Sequence, residues 1–411
     1  MIRKILKALM PVALRDFYIK MMILNKNKKI MYHHFCARKS KDVISNYPFF
    51  EISQPHHHCF FGYYDINPFN TDSTKVLNLC TKGNLDWATI NIYDIKNVTN
   101  IPITVTRVWN WQQGCRLRWH PKDENLIIYN DFAEGNYCTR FFNVKEKKIV
   151  KTLDYPLYDV DNECKLGLSL NFARLGAKRP SYGYVSYPFH EDNSDMEGVD
   201  LIDIENNTSR RLFTFREIER YLVGKKGGFN NYYLNHISFS PSATRFLFFF
   251  LDSSTSRHEA YMMVYDLKSD KVIPLEIKDK VSHYVWNGDN EIIATVYDDA
   301  MNCGYYIYNV EGGLRTKYNT INKDGHPSIF TKDTILTDTY PNKDCYQDLY
   351  IADKKGKKIN LASLFSYPLM FGEKRTDLHP RLNKEHSMVC VDANSRGYRR
   401  MLVFKIDDHI S

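Results

Sequence analysis

The feature that most constrains this chain is a weak repeat of short apolar runs, broken by Asp, Asn, Gly and Pro, that recurs from residue 50 to residue 406. Tyr64-Asp65-Ile66-Asn67-Pro68 precedes Val76-Leu77-Asn78-Leu79, and Leu117-Arg118-Trp119-His120-Pro121 precedes Leu126-Ile127-Ile128-Tyr129. Val160-Asp161-Asn162, Asn235-His236-Ile237-Ser238-Phe239-Ser240-Pro241 and Tyr284-Val285-Trp286-Asn287 head three further units, and His326-Pro327 and His379-Pro380 head the last two. Each unit reads as a strand, a tight polar turn, a second apolar strand and usually a third ending in a Tyr-Asp-Leu-like element. A period of roughly 40–60 residues with three or four strands per unit is that of propeller blades. Seven units predict an all-β, seven-bladed β-propeller. The last unit shows three strands, so a strand over residues 49–53 is expected to complete it and close the ring. The 29 Tyr and 24 Phe agree, since aromatic residues favour strands.

The predicted propeller spans residues 49–411, with insertions at about 174–198 and 215–233; the second should hold a short helix over 216–222 before Lys225-Lys226-Gly227-Gly228. Residues 1–48 form a basic amphipathic helical segment and linker. Arg3, Lys4, Lys7, Arg15 and Lys20 alternate there with apolar residues, and residues 26–29 read as linker. The longest uncharged run, 8–14, contains Pro11 and is too short to span a bilayer. Two readings stand: residues 1–30 lie peripherally on the anionic inner-membrane surface, or they pack on the propeller. The net charge of +8 suits solvated lysines or an anionic partner. Nine scattered cysteines without a C-x-x-C pair argue against a disulfide scaffold and suit a cytoplasmic protein.

In a propeller the first strand of each blade lines the central channel, so residues at blade starts share one mouth. His236, His326 and His379, with Asp377, should therefore converge. Two imidazoles and a carboxylate occupy three positions around a divalent cation and leave others open; the alternative is that each His-Pro only caps a turn. Tyr63, Tyr64 and Asp65, with Trp111, Gln113 and Arg116, combine aromatic faces with amide and cationic donors, which suits a sugar ring and its carboxylate. Arg174, Arg179, Tyr182 and Tyr184 would extend that surface, unless the aromatic residues pack between blades. His56-His57-His58 is a poor metal clamp, because adjacent strand residues face opposite ways. No G-x-S-x-G, P-loop or G-x-G-x-x-G motif is present, so no nucleotide cofactor is expected, and no nucleic-acid module is evident.

The blade starters resemble those of TolB-like propellers. The Asn-His-Ile-Ser-Phe-Ser-Pro, Asp-Gly-His-Pro and Asp-Leu-His-Pro-Arg elements resemble those of oligogalacturonate lyases. Phe61-Gly62-Tyr63-Tyr64-Asp65, Trp111-Gln112-Gln113-Gly114-Cys115, Leu168-Ser169-Leu170-Asn171-Phe172 and Thr337-Asp338-Thr339-Tyr340-Pro341 are similar to propellers encoded among bacterial capsule and O-antigen genes. The lyase resemblance implies a divalent ion, manganese or calcium, with His326 and His379 at metal positions and His236 at the catalytic histidine. Asp377 stands where those lyases carry a further histidine ligand, and Lys374 falls near their glutamine ligand. The implied chemistry is β-elimination at a uronate. His236 would be the base, and Arg381 or Arg116 would hold the carboxylate of an acidic oligo- or polysaccharide. The competing expectations are a non-catalytic glycan- or protein-binding propeller that scaffolds polysaccharide assembly, and a glycosyltransferase, for which the nucleotide-sugar αβ pattern and D-x-D motif are missing.

Overall fold

The structure, a computed structural model, describes residues 12–36, 42–84, 86–187, 194–222, 228–254, 259–298, 300–313, 315–318, 320–395 and 397–406. Arg3, Lys4 and Lys7, and Lys225, Lys226 and Gly227 of the Gly-rich turn, lie outside the described residues.

Seven antiparallel sheets are arranged as the blades of a propeller. Their innermost strands are, in order, His58–Phe60, Arg118–Trp119, Asp159–Val160, Tyr232–Phe239, Lys280–Trp286, Ser328–Thr331 and Arg381–Leu382. The second strands are buried on both faces, which is why blade four's Arg245–Asp252 is almost continuously apolar rather than alternating. The outermost strand of blade two, Lys148–Leu153, carries exposed Lys148 and half-buried Lys151, charges that blunt a free sheet edge. The Tyr-Asp-Leu echo has a local cause. Asp266, ending the third strand of blade four, accepts the backbone N–H groups of Lys268 and Ser269, and Asp94 and Asp203 do the same for Asn97 and Asn206. A short carboxylate at that position closes the turn to the fourth strand.

Ring closure follows the expectation. Phe49–Ile52 pairs antiparallel with Tyr398–Lys405, so the fourth strand of blade seven comes from the other end of the chain. An additional strand, Val43–Ser45, pairs with Lys358–Phe365 and gives blade six five strands, so sheet pairing begins before the Phe49 boundary.

The first insertion opens on a helix that was not anticipated, Phe172–Lys178, capped by the Asn171 side chain accepting the Arg174 N–H at 2.9 Å. The helix of the second insertion is Phe215–Glu219, with a reciprocal Thr214–Glu217 capping box. At the N-terminal side one helix, α1, runs Val12–Cys36. Residues 26–29 therefore belong to a helix and not to a linker. Lys is a good helix former, and Ile23, Asn27, Ile30 and Met31 keep one face packed through that stretch. Among the described residues no helix is long and apolar enough to cross a membrane. The eight cysteines from Cys59 to Cys390 are free thiols, six of them buried.

Candidate metal centre at the channel mouth

His326 stands on the loop entering blade six. Its backbone N–H donates to Asp338 Oδ1 at 2.7 Å, and its Nδ1 lies 2.9 and 3.0 Å from the two Asp338 oxygens. The neighbouring Gly325 allows this approach, since a Cβ there would meet the Asp338 carbonyl oxygen at 2.1 Å. His379 enters blade seven with a left-handed backbone, φ 48°, and its Nδ1 donates to the Gly62 carbonyl at 2.8 Å. In both imidazoles Nδ1 is committed, while Nε2 is buried without a hydrogen-bond partner. The Asp377 carboxylate joins them, and one donor atom from each of the three residues lies within 4.8 Å of the others. The two rings stand perpendicular with centroids 4.5 Å apart. An imidazole whose Nδ1–H is held by a carboxylate or carbonyl presents Nε2 in the tautomer and direction a metal requires. The donor set therefore fits a divalent cation.

The third expected histidine lies beside this group. A register shift between Asn235 and Ser238 and a φ of 53° turn His236 out of its strand and into the channel. Its ring stacks on Tyr63 at 4.9 Å, and Tyr63 lies edge-on to His379 at 4.7 Å, so the phenol ring stands between His236 and the three donors. His236 Nε2 is 3.1 Å from Asn235 Nδ2 and 3.5 Å from the Tyr63 hydroxyl. Burial, then the nearby Arg179 cation, pushes the His236 imidazole well below its ordinary pKa, which keeps it neutral. Burial and His326 do the same to His379. His326 differs: burial disfavours its charge, but the Asp338 carboxylate more than compensates and holds its pKa up.

A fourth imidazole was missed. His283 lies 4.0 Å from His326, centroid to centroid, and its Nδ1 is 3.0 Å from Asp324, which also accepts the Ser282 and Tyr297 hydroxyls. It sits one residue before the Tyr284-Val285-Trp286 run that marks blade five in the sequence, on a strand whose register shifts between Val281 and His283. The cation at the site was missed as well. Arg375 donates from Nε to Asp377 at 3.0 and 3.3 Å and from Nη2 to the Tyr182 hydroxyl at 2.9 Å, and its side chain is still 33% exposed. The Arg179 guanidinium covers the Tyr182 ring at 4.3 Å.

The other expected residues are placed differently. Arg116 is buried, donates through Nη1 and Nη2 to Asp65 at 3.1 and 2.8 Å, and donates through Nε to the Tyr158 carbonyl at 2.8 Å. Arg381 is sealed behind His379, ion-paired at 3.0 Å with Asp392, and both side chains are 1% exposed. Asp392 in turn accepts the Phe61 and Gly62 N–H groups, so this pair fixes the loop that receives His379. Both guanidinium groups are buried, Arg116 hydrogen-bonded to Asp65 and Arg381 ion-paired with Asp392, so neither is exposed to hold a substrate carboxylate, the role expected from sequence. Trp111 is buried against Phe60 and Trp109, and Gln113 donates to the Tyr158 hydroxyl and to Asn235. Arg174 is buried on Glu197 at 2.7 Å. Tyr64 exchanges hydrogen bonds with the Tyr284 backbone through its hydroxyl. Of the residues expected to form a sugar-binding surface, Tyr63, Tyr64 and Tyr182 reach the imidazoles, with the Tyr64 ring 5.3 Å from His326 and 6.2 Å from His379, centroid to centroid. Tyr64 and Asp65 also line a cavity of about 760 Å³ at the other end of the innermost strands, beside Trp119, Trp286 and Asp161. That cavity does not include the three donors.

A scan of protein-family models matches none, and no curated protein matches significantly. The fold has many solved counterparts. An oligogalacturonate lyase in complex with manganese superposes with a TM-score of 0.65 at 13% identity, covering 89% of this chain and 94% of that one. An oligogalacturonate lyase from Vibrio parahaemolyticus gives 0.61 at 14%, over 90% and 99%. A β-propeller domain from Myceliophteria thermophila gives 0.50 at 11%, over 87% and 99%. The chain is a seven-bladed β-propeller similar in fold to these lyases.

Proposed function

We propose that this propeller takes an acidic, uronate-containing glycan at the mouth marked by Arg375 and Tyr182, and cleaves it by metal-assisted β-elimination. The observation that carries the reading is the pair of buried, unpartnered Nε2 atoms of His326 and His379 beside the Asp377 carboxylate. Two nitrogens and one oxygen suit manganese better than calcium, which prefers oxygen throughout. When bound, the ion would neutralise the uronate carboxylate and so acidify the proton at C5. Arg375, charged and partly exposed, would hold the same or a neighbouring carboxylate, a role in which it replaces Arg116 and Arg381. His236, kept neutral by burial, would accept the C5 proton. The C4–O bond then breaks, a C4=C5 double bond forms, and the leaving oxygen takes a proton. Surface-polysaccharide metabolism, as for capsule or O-antigen, is the setting that supplies such glycans.

The test is incubation of the manganese-loaded protein with uronate oligosaccharides, following the ultraviolet absorbance of the unsaturated uronate. Absorbance should rise with the parent and not with His236→Ala. Manganese binding without product from any uronate glycan would overturn the catalytic assignment. A second reading, a glycan-binding module, is favoured by one observation: Arg375 already neutralises Asp377 at 3.0 Å, which weakens that carboxylate as a ligand. Glycan binding that survives chelation, with no product, is its signature.

A further inference from the structure

Independently of the channel site, α1 carries a surface with no partner among the described residues. A helix packed on a soluble domain turns its apolar side inward and its polar side to water. This helix has apolar residues on both sides. Ile19, Ile23, Leu24 and Ile30 are half-buried, Met31 is buried, and Asn27 Oδ1 accepts the Cys345 thiol of the propeller at 3.8 Å. The opposite side presents Leu14, Phe17, Tyr18, Met21 and Met22, with the spacing of one stripe and exposures from 37% for Tyr18 to 63% for Phe17. Lys28 and Lys29, both exposed, continue that stripe beyond Met21 and Met22, and exposed Lys20 and Lys26 flank it. The helix sequence holds Arg15 and these four lysines against a single acid, Asp16.

We propose that this outward side of α1 docks the propeller on an anionic lipid surface. Phe17, Met21 and Met22 would enter the headgroup–acyl boundary, and the lysines would meet lipid phosphates. Charge complementarity selects this occupant: a second copy of the chain would bring the same lysines face to face, whereas an anionic bilayer answers both the apolar stripe and the cations. Over its described residues α1 is not long and apolar enough to cross a membrane, and the proposed contact is peripheral.

The experiment is flotation of the full chain with phosphatidylcholine vesicles, with and without about 30 mol% phosphatidylglycerol, at two salt concentrations. The protein should float with the anionic vesicles alone and be released by high salt. Phe17→Ser combined with Met21→Ser, and separately Lys28→Glu combined with Lys29→Glu, should each lower partitioning about tenfold or more. Both pairs are exposed, so melting temperatures should match the parent, and that measurement separates lost docking from lost fold. No flotation, equal flotation with neutral vesicles, or variants that float like the parent overturns the proposal. So does a dimer by light scattering that the Phe17/Met21 variant dissolves, which would assign the stripe to a second copy.

Discussion

Replacing Asp338 by Asn tests the metal centre without touching a ligand. The Asp338 side chain is 1% exposed and accepts both the backbone N–H and Nδ1–H of His326. Asparagine keeps the shape but offers one oxygen and an NH₂ group. If its oxygen stays on the backbone N–H, the amide NH₂ takes the place of Oδ2, 3.0 Å from Nδ1, and favours the imidazole proton on Nε2, the atom that would bind the metal. Loss of such an outer partner typically costs about 10–100-fold in metal affinity, or about 1.4–2.8 kcal/mol, and the tautomer reversal places this variant at the upper end. The assay is calorimetric titration of manganese into metal-free protein near neutral pH, with His326→Ala as the variant that abolishes binding. The pH dependence carries a second signature. Asp338 raises the His326 pKa, so in the parent protons compete with metal as pH falls through that raised value. In Asp338→Asn the competition should move to lower pH. Manganese affinity within about threefold of the parent, with an unchanged pH profile, would refute the claim that Asp338 sets the imidazole tautomer.

Acid should weaken the fold through neutral buried imidazoles. Burial and the adjacent Arg399 lower the His58 pKa to about 4, and its Nδ1 accepts the Arg399 N–H. The unfolded chain binds a proton below about pH 6.5 that the folded chain refuses until about pH 4. Stability is therefore complete above that window and lost as pH falls through it, with His58 alone contributing on the order of 2 kcal/mol; urea midpoints at pH 5 and 7.5 read this directly. Ile52→Ala, in the closing strand at a fully buried position, should cost about 2–4 kcal/mol and lower the melting temperature. Arg375→Gln should weaken acidic-oligosaccharide binding about tenfold or more, and should also lower the melting temperature because the buried Asp377 carboxylate loses its cation; unchanged binding removes Arg375 from the glycan contact.

The blade number, the closing strand and the convergence of His326, Asp377 and His379, with His236 beside them, are legible in the amino-acid sequence. Those are consequences of local pattern: hairpins and Asx turns write a period into the chain, and a closed ring of such units leaves their first strands around one channel. Which cation stands at that channel depends instead on long-range packing. Arg116 and Arg381 were as plausible on paper as Arg375, yet Arg116 is closed on Asp65, 51 residues away, and Arg381 on Asp392. Pairings of that kind form across and between blades and leave no periodic trace. The bulges at His236 and His283 act in the same way. A shift of one residue turns a strand side chain to the opposite face, so His283, one position outside the visible repeat, became the site's fourth imidazole.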